Sequence, residues 1–596
     1  MKKYHVHDIE IGMFKTVKRY LKLYIQSLSL VLKSAKLNAI LVLVLGPLQA
    51  ITPFVITLLL EKIVDSFSNH FELALMCLVG WCIAFALQAV LEPVIKFIQG
   101  LLTDTLVKEM TLKMMKKSEE LQGITYFENA NFNNDISFLK EQITWRPVNI
   151  IVFSFSVIES LIIIISMNLL IFKVSWIAAI ITLIAFIPQC YFSYQVQKEA
   201  FETTVVSTED NRELNYDNKV VMSKEYAKET RLYHTFPYFI HRYSTGFDTK
   251  FHRIQRVKAK KTIYAFVFSI LNVIVCASIF VWMVFEVHEG RFLIGSIVMY
   301  GSSLMYISQS MSRFVEDSSL YLDTLNYMEK FFNFLNVKDT LDHAKEKDGL
   351  EQIHTIEFRN VHFTYPNQKE ELLKGVSFTV DENQKLAIVG ENGSGKTTMM
   401  KLLCRFYDPT SGEILVNGKN IKEYEMNSYR KQLGAIFQDF CKYQLSMKEN
   451  VMMSNLKALE QKDIYNEAVN KAGIKEIDAT QVLGTEFENG HDISGGQWQK
   501  VALARSFASK RKVIIMDEPT AALDPRSEYD LYVRFLKEAN GKTILFVTHR
   551  LAAVKFSDEV LVMKDGKVEA FGTHQELIKE NDYYQELYNM QASYYA

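Results

Sequence analysis

Six long apolar runs, free of charge except for Glu159 in the third, constrain the fold more than any other feature of the chain: 37–60, 73–91, 147–172, 174–197, 262–285 and 292–312. A helix needs about 20 apolar residues to cross the hydrocarbon core of a bilayer, and each run is close to that length and bracketed by charge. A large soluble core has no need of so many uninterrupted runs. The first half is therefore expected to be a membrane all-α domain of six spans. Nearly all such runs end by about residue 313, so the averages of 49% hydrophobic and 23% charged over 596 residues conceal two unlike halves. A formal net charge of -1 supplies no basic field of the kind that gathers nucleic acid, which is not expected as a partner.

Orientation follows from lysine and arginine, because positive loops stay in the cytoplasm. They collect in the leader before residue 37, in the 92–146 connection (Lys108, Lys113, Lys116, Lys117, Lys140, Arg146) and in the 198–261 connection, while the links at Lys173 and Glu286–Arg291 are short. A multi-pass protein of the cytoplasmic membrane with its N-terminus and soluble half inside is expected. In the leader, 1–36, the residues Phe14, Val17, Leu21, Tyr24, Leu28 and Val31 recur at helical spacing among lysines. They predict an amphipathic helix on the membrane surface, not a cleavable signal. The leader is also too short for a leader-cleaving peptidase domain. Long connections rarely lack a role, so turns near Tyr126–Phe132 and Leu214–Ser223 are expected to rest on a soluble domain.

Glu159 lies inside the third expected span, where a carboxylate costs about 2.5–3.5 kcal/mol, yet the surrounding Ile, Val, Leu and Phe residues, at about 0.3–0.6 kcal/mol each, outweigh it. Its expected partner is either a cationic substrate or an interhelical hydrogen bond. The cysteines, Cys77, Cys82, Cys190, Cys276, Cys404 and Cys441, form none of the close pairs that zinc or dithiol chemistry requires and read mostly as reduced packing residues.

The membrane domain, 37–330, is followed by a linker, 331–350, that includes the charged stretch around Lys338–Gly349, and then by an α/β P-loop NTPase domain, 351–596. Leu386–Val389 reads as a buried parallel strand that runs into Gly390-Glu391-Asn392-Gly393-Ser394-Gly395-Lys396-Thr397, a P-loop. The glycines let backbone N–H groups turn inward on phosphate oxygens at a helix N-terminus. Lys396 then reaches the β- and γ-phosphates of ATP, Thr397 a Mg²⁺ ion, and Thr398 a neighbouring phosphate. A second apolar strand, Val513–Met516, ends in Asp517-Glu518. Asp517 suits Mg²⁺, and Glu518 suits polarising the attacking water as general base.

Ile493-Ser494-Gly495-Gly496-Gln497 lies about a hundred residues after the P-loop and just before the Asp-Glu strand. With that segment in register, the chain resembles the ATP-binding-cassette (ABC) family over its soluble half and in the layout of its membrane half. The resemblance implies that Tyr365 stacks on adenine and that Gln438 links Mg²⁺ to the membrane domain. It also implies that His549, after strand Thr543–Val547, senses the γ-phosphate and that Asp524, in Ala521-Ala522-Leu523-Asp524, communicates across a dimer. Ser494, Gly495, Gly496 and Gln497 then serve the ATP held by a partner subunit, so that two chains sandwich two nucleotides. Departures from the family pattern, Ile493 for leucine, Ala521 for serine and Asn489 for arginine, remove no catalytic group. Because both half-sites are intact, a homodimer is the simplest assembly, with a heterodimer as the alternative.

The membrane-first order resembles exporters. Phe437-Gln438-Asp439-Phe440 with Tyr443, and Gln497-Trp498-Gln499-Lys500, are similar to the lantibiotic exporters of Gram-positive bacteria. Export of a modified peptide is the implied function. Multidrug or lipid export is the alternative, and an ATP-gated channel or sensor a more distant one.

Overall fold

The structure is a computed structural model that describes residues 13–341 apart from 145, 206 and 207, residues 348–518 apart from 367 and 476, positions 533, 535 and 537, and residues 541–548 and 551–595. The chain divides into two compact units: Met1–Ser118 with Asn134–Val337, and Glu119–Asn133 with Lys338–Ala596.

The first unit is helical: α1 (Met13–Ser34), α2 (Lys36–Ser66), α3 (Phe71–Glu120), α4 (Ala130–Gln142), α5 (Arg146–Val174), α6 (Trp176–Val205), α7 (Thr208–Met222), α8 (Ala227–Leu232), α9 (Phe236–His288) and α10 (Ile294–Leu335). Among the described residues, five stretches are long and apolar enough to cross a membrane: Lys36–Ser66, Phe71–Glu120, Asn149–Val174, Trp176–Gln195 and Thr262–His288. The sixth expected run, 292–312, opens α10 and falls short of that apolarity because Ser296, Ser302, Ser303, Ser308, Gln309 and Ser310 interrupt it. Packing explains the tolerance. Met299, Tyr300, Ser303, Ile307 and Ser310 are buried where α10 lies against α2, α5, α6 and α9, so Ser303 and Ser310 meet protein, while Ser308 and Gln309 are exposed.

One cluster, including Ala50, Met167, Ile171, Ala179, Phe186, Met283 and Tyr300, draws α2, α5, α6, α9 and α10 together. Prolines inside α2 (Pro47, Pro53), α3 (Pro93) and α6 (Pro188) are accommodated as in other membrane helices, with the Thr52 hydroxyl donating back to the Gln49 carbonyl at 2.7 Å. Ser175 separates α5 from α6 and caps the latter by accepting from the Ala178 N–H at 3.3 Å.

Residues 13–34 of the leader form the helix α1. Leu23, Ser27, Leu30 and Val31 are buried, whereas Leu21 is 56% exposed. Arg19 pairs with Glu329, and Tyr24 meets Tyr321 edge-on at 6.0 Å, so α1 packs on α10. Helix α10 runs to Leu335, with Phe331 and Phe334 buried, so the start of the expected 331–350 linker is helical. The Leu214–Ser223 segment lies on and just past α7, where Asp217 pairs with Arg242 of α9 at 3.3 Å. Cys77 and Cys404 are buried and Cys190 and Cys276 half-buried, as packing residues should be, while Cys82 and Cys441 are exposed.

The second unit holds twelve described strands: β1 (Thr355–Phe363), β2 (Leu373–Asp381), β3 (Lys385–Gly390), β4 (Ser411–Val416), β5 (Lys419–Asn420), β6 (Leu433–Ile436), β7 (Val482–Leu483), β8 (Gly490–His491), β9 (Val513–Asp517), β10 (Thr543–Val547), β11 (Glu559–Lys564) and β12 (Lys567–Gly572). The main sheet runs β12-β11-β3-β10-β9-β6, parallel except for the β11–β12 hairpin, and a four-stranded sheet, β2-β1-β4-β5, is antiparallel. Strands β9 and β10 are buried along their whole length, which explains their unbroken apolar runs. Alternate side chains feed two cores. Leu386, Ile388, Ile515 and Val547 face the helix Lys396–Leu403, while Ala387, Val389, Met516 and Phe546 face the helix Gly495–Ala508. The two helices therefore cover opposite faces of one sheet.

Candidate active site

Strands β3 and β9 are parallel and flank β10, with Ile388 opposite Val547 and Val547 opposite Asp517. Gly390 and Asp517 consequently emerge at the same carboxyl edge of the sheet, where ligands of such folds bind. The 390–397 loop then turns into the helix Lys396–Leu403, whose first N–H groups receive no side-chain cap. Two glycines make the turn feasible. Gly390 and Gly395 have φ of 149° and 100°, and a Cβ would lie 2.2 Å from the Met563 carbonyl oxygen at the first and 2.4 Å from the Leu373 side chain at the second.

Within this loop the Lys396 ammonium donates to the carbonyls of Gly390 and Glu391, both at 2.8 Å. Burial lowers its pKa below the ordinary lysine range, and the nearby Glu518, Asp517 and Glu391 carboxylates oppose that shift. Asp517 is only 1% exposed. Burial raises its pKa, although a hydrogen bond from the exposed Thr397 pulls the other way, and Glu518 raises it further. Among the described residues, Asp517 Oδ1 and Ser394 Oγ are buried without a hydrogen-bond partner. Two charges held against burial, beside two orphaned oxygens, fit a ligand that brings both polyphosphate and a cation. Mg²⁺ suits this donor set, since it prefers oxygen ligands and shares them with phosphate.

Glu518 directly follows β9 with φ of 46°, and its N–H donates to the Val547 carbonyl at 3.2 Å. A left-handed glutamate is uncommon and costs on the order of 1 kcal/mol, a strain concentrated at functional positions. Gln438 is exposed, two residues past β6, whose Ile436 pairs with Met516 next to Asp517. Asp439, which the sequence motifs did not single out as a site residue, adds its charge to the field at Asp517. Glu391, Asn392 and Gly393 form the exposed crest of the loop, and Thr398 is buried. Tyr365 is half-buried. Its hydroxyl hydrogen-bonds with that of Thr398 at 2.9 Å, and Phe363 and Tyr407 meet its ring edge-on at 5.0 and 5.4 Å.

The Ser494–Gln497 segment lies in the helical layer on the other face of the sheet. Ser494 caps the helix Gly495–Ala508 in a reciprocal box: its hydroxyl accepts from the Gln497 N–H at 3.3 Å, and Gln497 Oε1 accepts from the Ser494 N–H at 2.9 Å. Ser494, Gly495 and Gln497 are exposed while Trp498 is buried, which anchors the helix and leaves its N-terminus facing outward. His549 and Asp524 lie outside the described residues.

A profile of the ABC transporter family matches residues 373–521. The subtilin transport ATP-binding protein of Bacillus subtilis is 31% identical over 488 residues, spanning 80% of this chain and 79% of that protein. The chain belongs to the ABC transporter family. The nisin transport ATP-binding protein of Lactococcus lactis subsp. lactis is 27% identical to this transporter over 94% of the chain and 95% of its own length. Its fold matches the structure of a bacterial Atm1-family ABC exporter with ATP bound, with a TM-score of 0.77 over 94% of this chain and 98% of that one, at 20% identity. The transporter is an ATP-binding, ATPase-coupled membrane exporter.

Proposed function

We propose that this ABC transporter exports a modified peptide of the lantibiotic type across the cytoplasmic membrane, working as a homodimer by alternating access. The ATP chemistry rests on one observation: Lys396, Asp517 and Glu518 converge at the carboxyl edge of the sheet, around a helix N-terminus left open for phosphate. In this reading Gly390–Thr398 cradle the phosphates, Tyr365 stacks on adenine, and Glu518 polarises the attacking water while His549 senses the γ-phosphate. Thr397, Gln438 and Asp517 would hold Mg²⁺, which when bound neutralises charge on the β- and γ-phosphates.

Ser494, Gly495, Gly496 and Gln497 serve the nucleotide of the second copy, and Asp524 relays across the dimer. The outward-facing capped helix, on the face opposite the P-loop helix, supports that role. The run 292–312 acts as the sixth span, with the N-terminus and the ATP-binding half cytoplasmic. The peptide reading is supported by the relatives named for subtilin and nisin transport, which match along 80% and 94% of the chain.

The test is ATPase stimulation in lipid vesicles by a modified precursor peptide, by drugs and by lipids, with a Glu518→Gln control. Peptide stimulation is expected, together with a loss of turnover of about 10²- to 10⁴-fold in the control at retained ATP binding. Stimulation by drugs or lipids alone would move the substrate assignment to the alternative. Full turnover in the control would remove Glu518 as the base.

A further inference from the structure

The base-facing corner of the site contains one residue from far outside the ATP-binding sequence. We infer that Glu128, in the turn between α3 and α4, is a positioning residue for the nucleotide base, holding the Tyr365 ring through Tyr407 and Lys401. This rests on the reading of Tyr365 as the adenine-stacking side chain and extends it to a group outside the 373–521 family match.

A ring that presents a flat face to a base needs its tilt fixed on several sides. Thr398 fixes the hydroxyl end of Tyr365, and Phe363, buried on β1, supports one edge. The other two supports are Tyr407, perpendicular to the ring at 88°, and Lys401, whose ammonium lies 6.0 Å from the ring centroid. Both end on Glu128. Its Oε1 takes the Lys401 ammonium at 2.9 Å, and its Oε2 accepts the Tyr407 hydroxyl. Without that carboxylate, the four-carbon stem of Lys401 is free to leave the ring, and the Tyr407 hydroxyl loses a charged acceptor. Burial and then Glu128 push the Tyr407 hydroxyl above its usual pKa range, so it stays a donor at all working pH values.

Glu128 is itself held firmly. Its N–H donates to the Ile124 carbonyl at 3.1 Å, and the Ile124 N–H donates to the Phe406 carbonyl at 3.3 Å. Arg430 donates to the Gln122 side chain at 2.9 Å and to its carbonyl at 3.0 Å, and Asp339 accepts from the Gln122 and Gly123 N–H groups at 2.9 and 3.2 Å. The turn is thus part of the wall around the base, and a shift of the turn tilts Tyr365.

The experiment is equilibrium binding of ATP and of inorganic tripolyphosphate to the purified full-length protein in lipid. Glu128→Ala and the milder Tyr407→Phe are each expected to weaken ATP by about three- to tenfold, the scale of one aromatic edge contact. Tripolyphosphate, which lacks a base, should change by less than about twofold, and Glu128→Ala should add nothing in a Tyr365→Ala background. Equal weakening of both ligands would reduce Glu128 to a general structural role and overturn the inference. If Tyr365→Ala weakens ATP while the Glu128 and Tyr407 variants bind it as the parent does, this inference falls and the base assignment stands. If Tyr365→Ala itself leaves ATP binding unchanged, both fall.

Discussion

Asp517 and Lys396 show how the site stores its affinity for ATP in individual side chains. Burial works against the charge of each, so each contributes less to stability than it would on a surface. The signs differ. Between the ordinary 3.8 of aspartate and its raised value in the fold, the folded chain holds a proton on Asp517 that the unfolded chain releases. Its contribution to stability therefore falls as pH climbs through that window and stays low at neutral pH. For Lys396 the unfolded chain holds the proton between the lowered value and 10.5, so its contribution rises with pH there. Asp517→Asn removes the carboxylate cost, and in nucleotide-free protein it is expected to raise the melting temperature by about 2–4 °C at pH 7, with the gain shrinking toward pH 4. The gain should also vanish when ATP and Mg²⁺ are present. A lower melting temperature at pH 7 without nucleotide would mean that Asp517 is a net stabiliser.

The phosphate residues were readable in sequence because they are local: eight consecutive positions after one apolar strand specify the loop and its helix. Glu128 was not, since its contact with Tyr407 spans 279 residues and no spacing rule links them. The left-handed backbone of Glu518 was equally invisible, because it is set by the Val547 carbonyl on the neighbouring strand.

At the scale of elements, the apolar runs located five of the helices suited to a membrane, and the turn expected near Tyr126–Phe132 does pack with the ATP-binding unit. Interior burial was less legible. Ser296, Ser303 and Ser310 of α10 are covered by neighbouring helices, which an apolarity count does not report, and periodicity alone cannot report which stripe of α1 a neighbour covers. The helix Gly495–Ala508 raises a coupling question of its own. Its Arg505 donates to the Asn450 carbonyl at 3.0 Å and to the Cys441 carbonyl at 3.2 Å, and lies 4.9 Å from the centroid of the Tyr443 ring. One guanidinium therefore ties this helix to the segment that follows Gln438. Lysine keeps the charge but cannot span both carbonyls. Arg505→Lys is expected to cost about 2–3 kcal/mol in unfolding by denaturant and to lower ATP turnover, leaving ATP affinity at the P-loop within about twofold. Parental turnover with the full stability loss would confine Arg505 to holding the fold.

At the scale of the whole molecule, the decisive fact is that one sheet separates the P-loop helix, Lys396–Leu403, from the helix Gly495–Ala508 that Ser494 caps. A site that needs both must take them from two chains, or else a single chain must bring together two faces that its own core holds apart. Mixed dimers distinguish these cases when built on Glu518→Gln, so that bound nucleotide survives, and when read as nucleotide retained after rapid gel filtration. With Lys396→Ala in one chain and Ser494→Arg in the other, a two-chain sandwich concentrates both defects in one site and leaves the second intact, so about one nucleotide per dimer should be retained. With both substitutions in one chain and none in its partner, each sandwich carries one defect and retention should be close to nil. Sites built within single chains give the reverse pattern, because the unaltered partner would then keep its own nucleotide, and that result would end the two-chain reading.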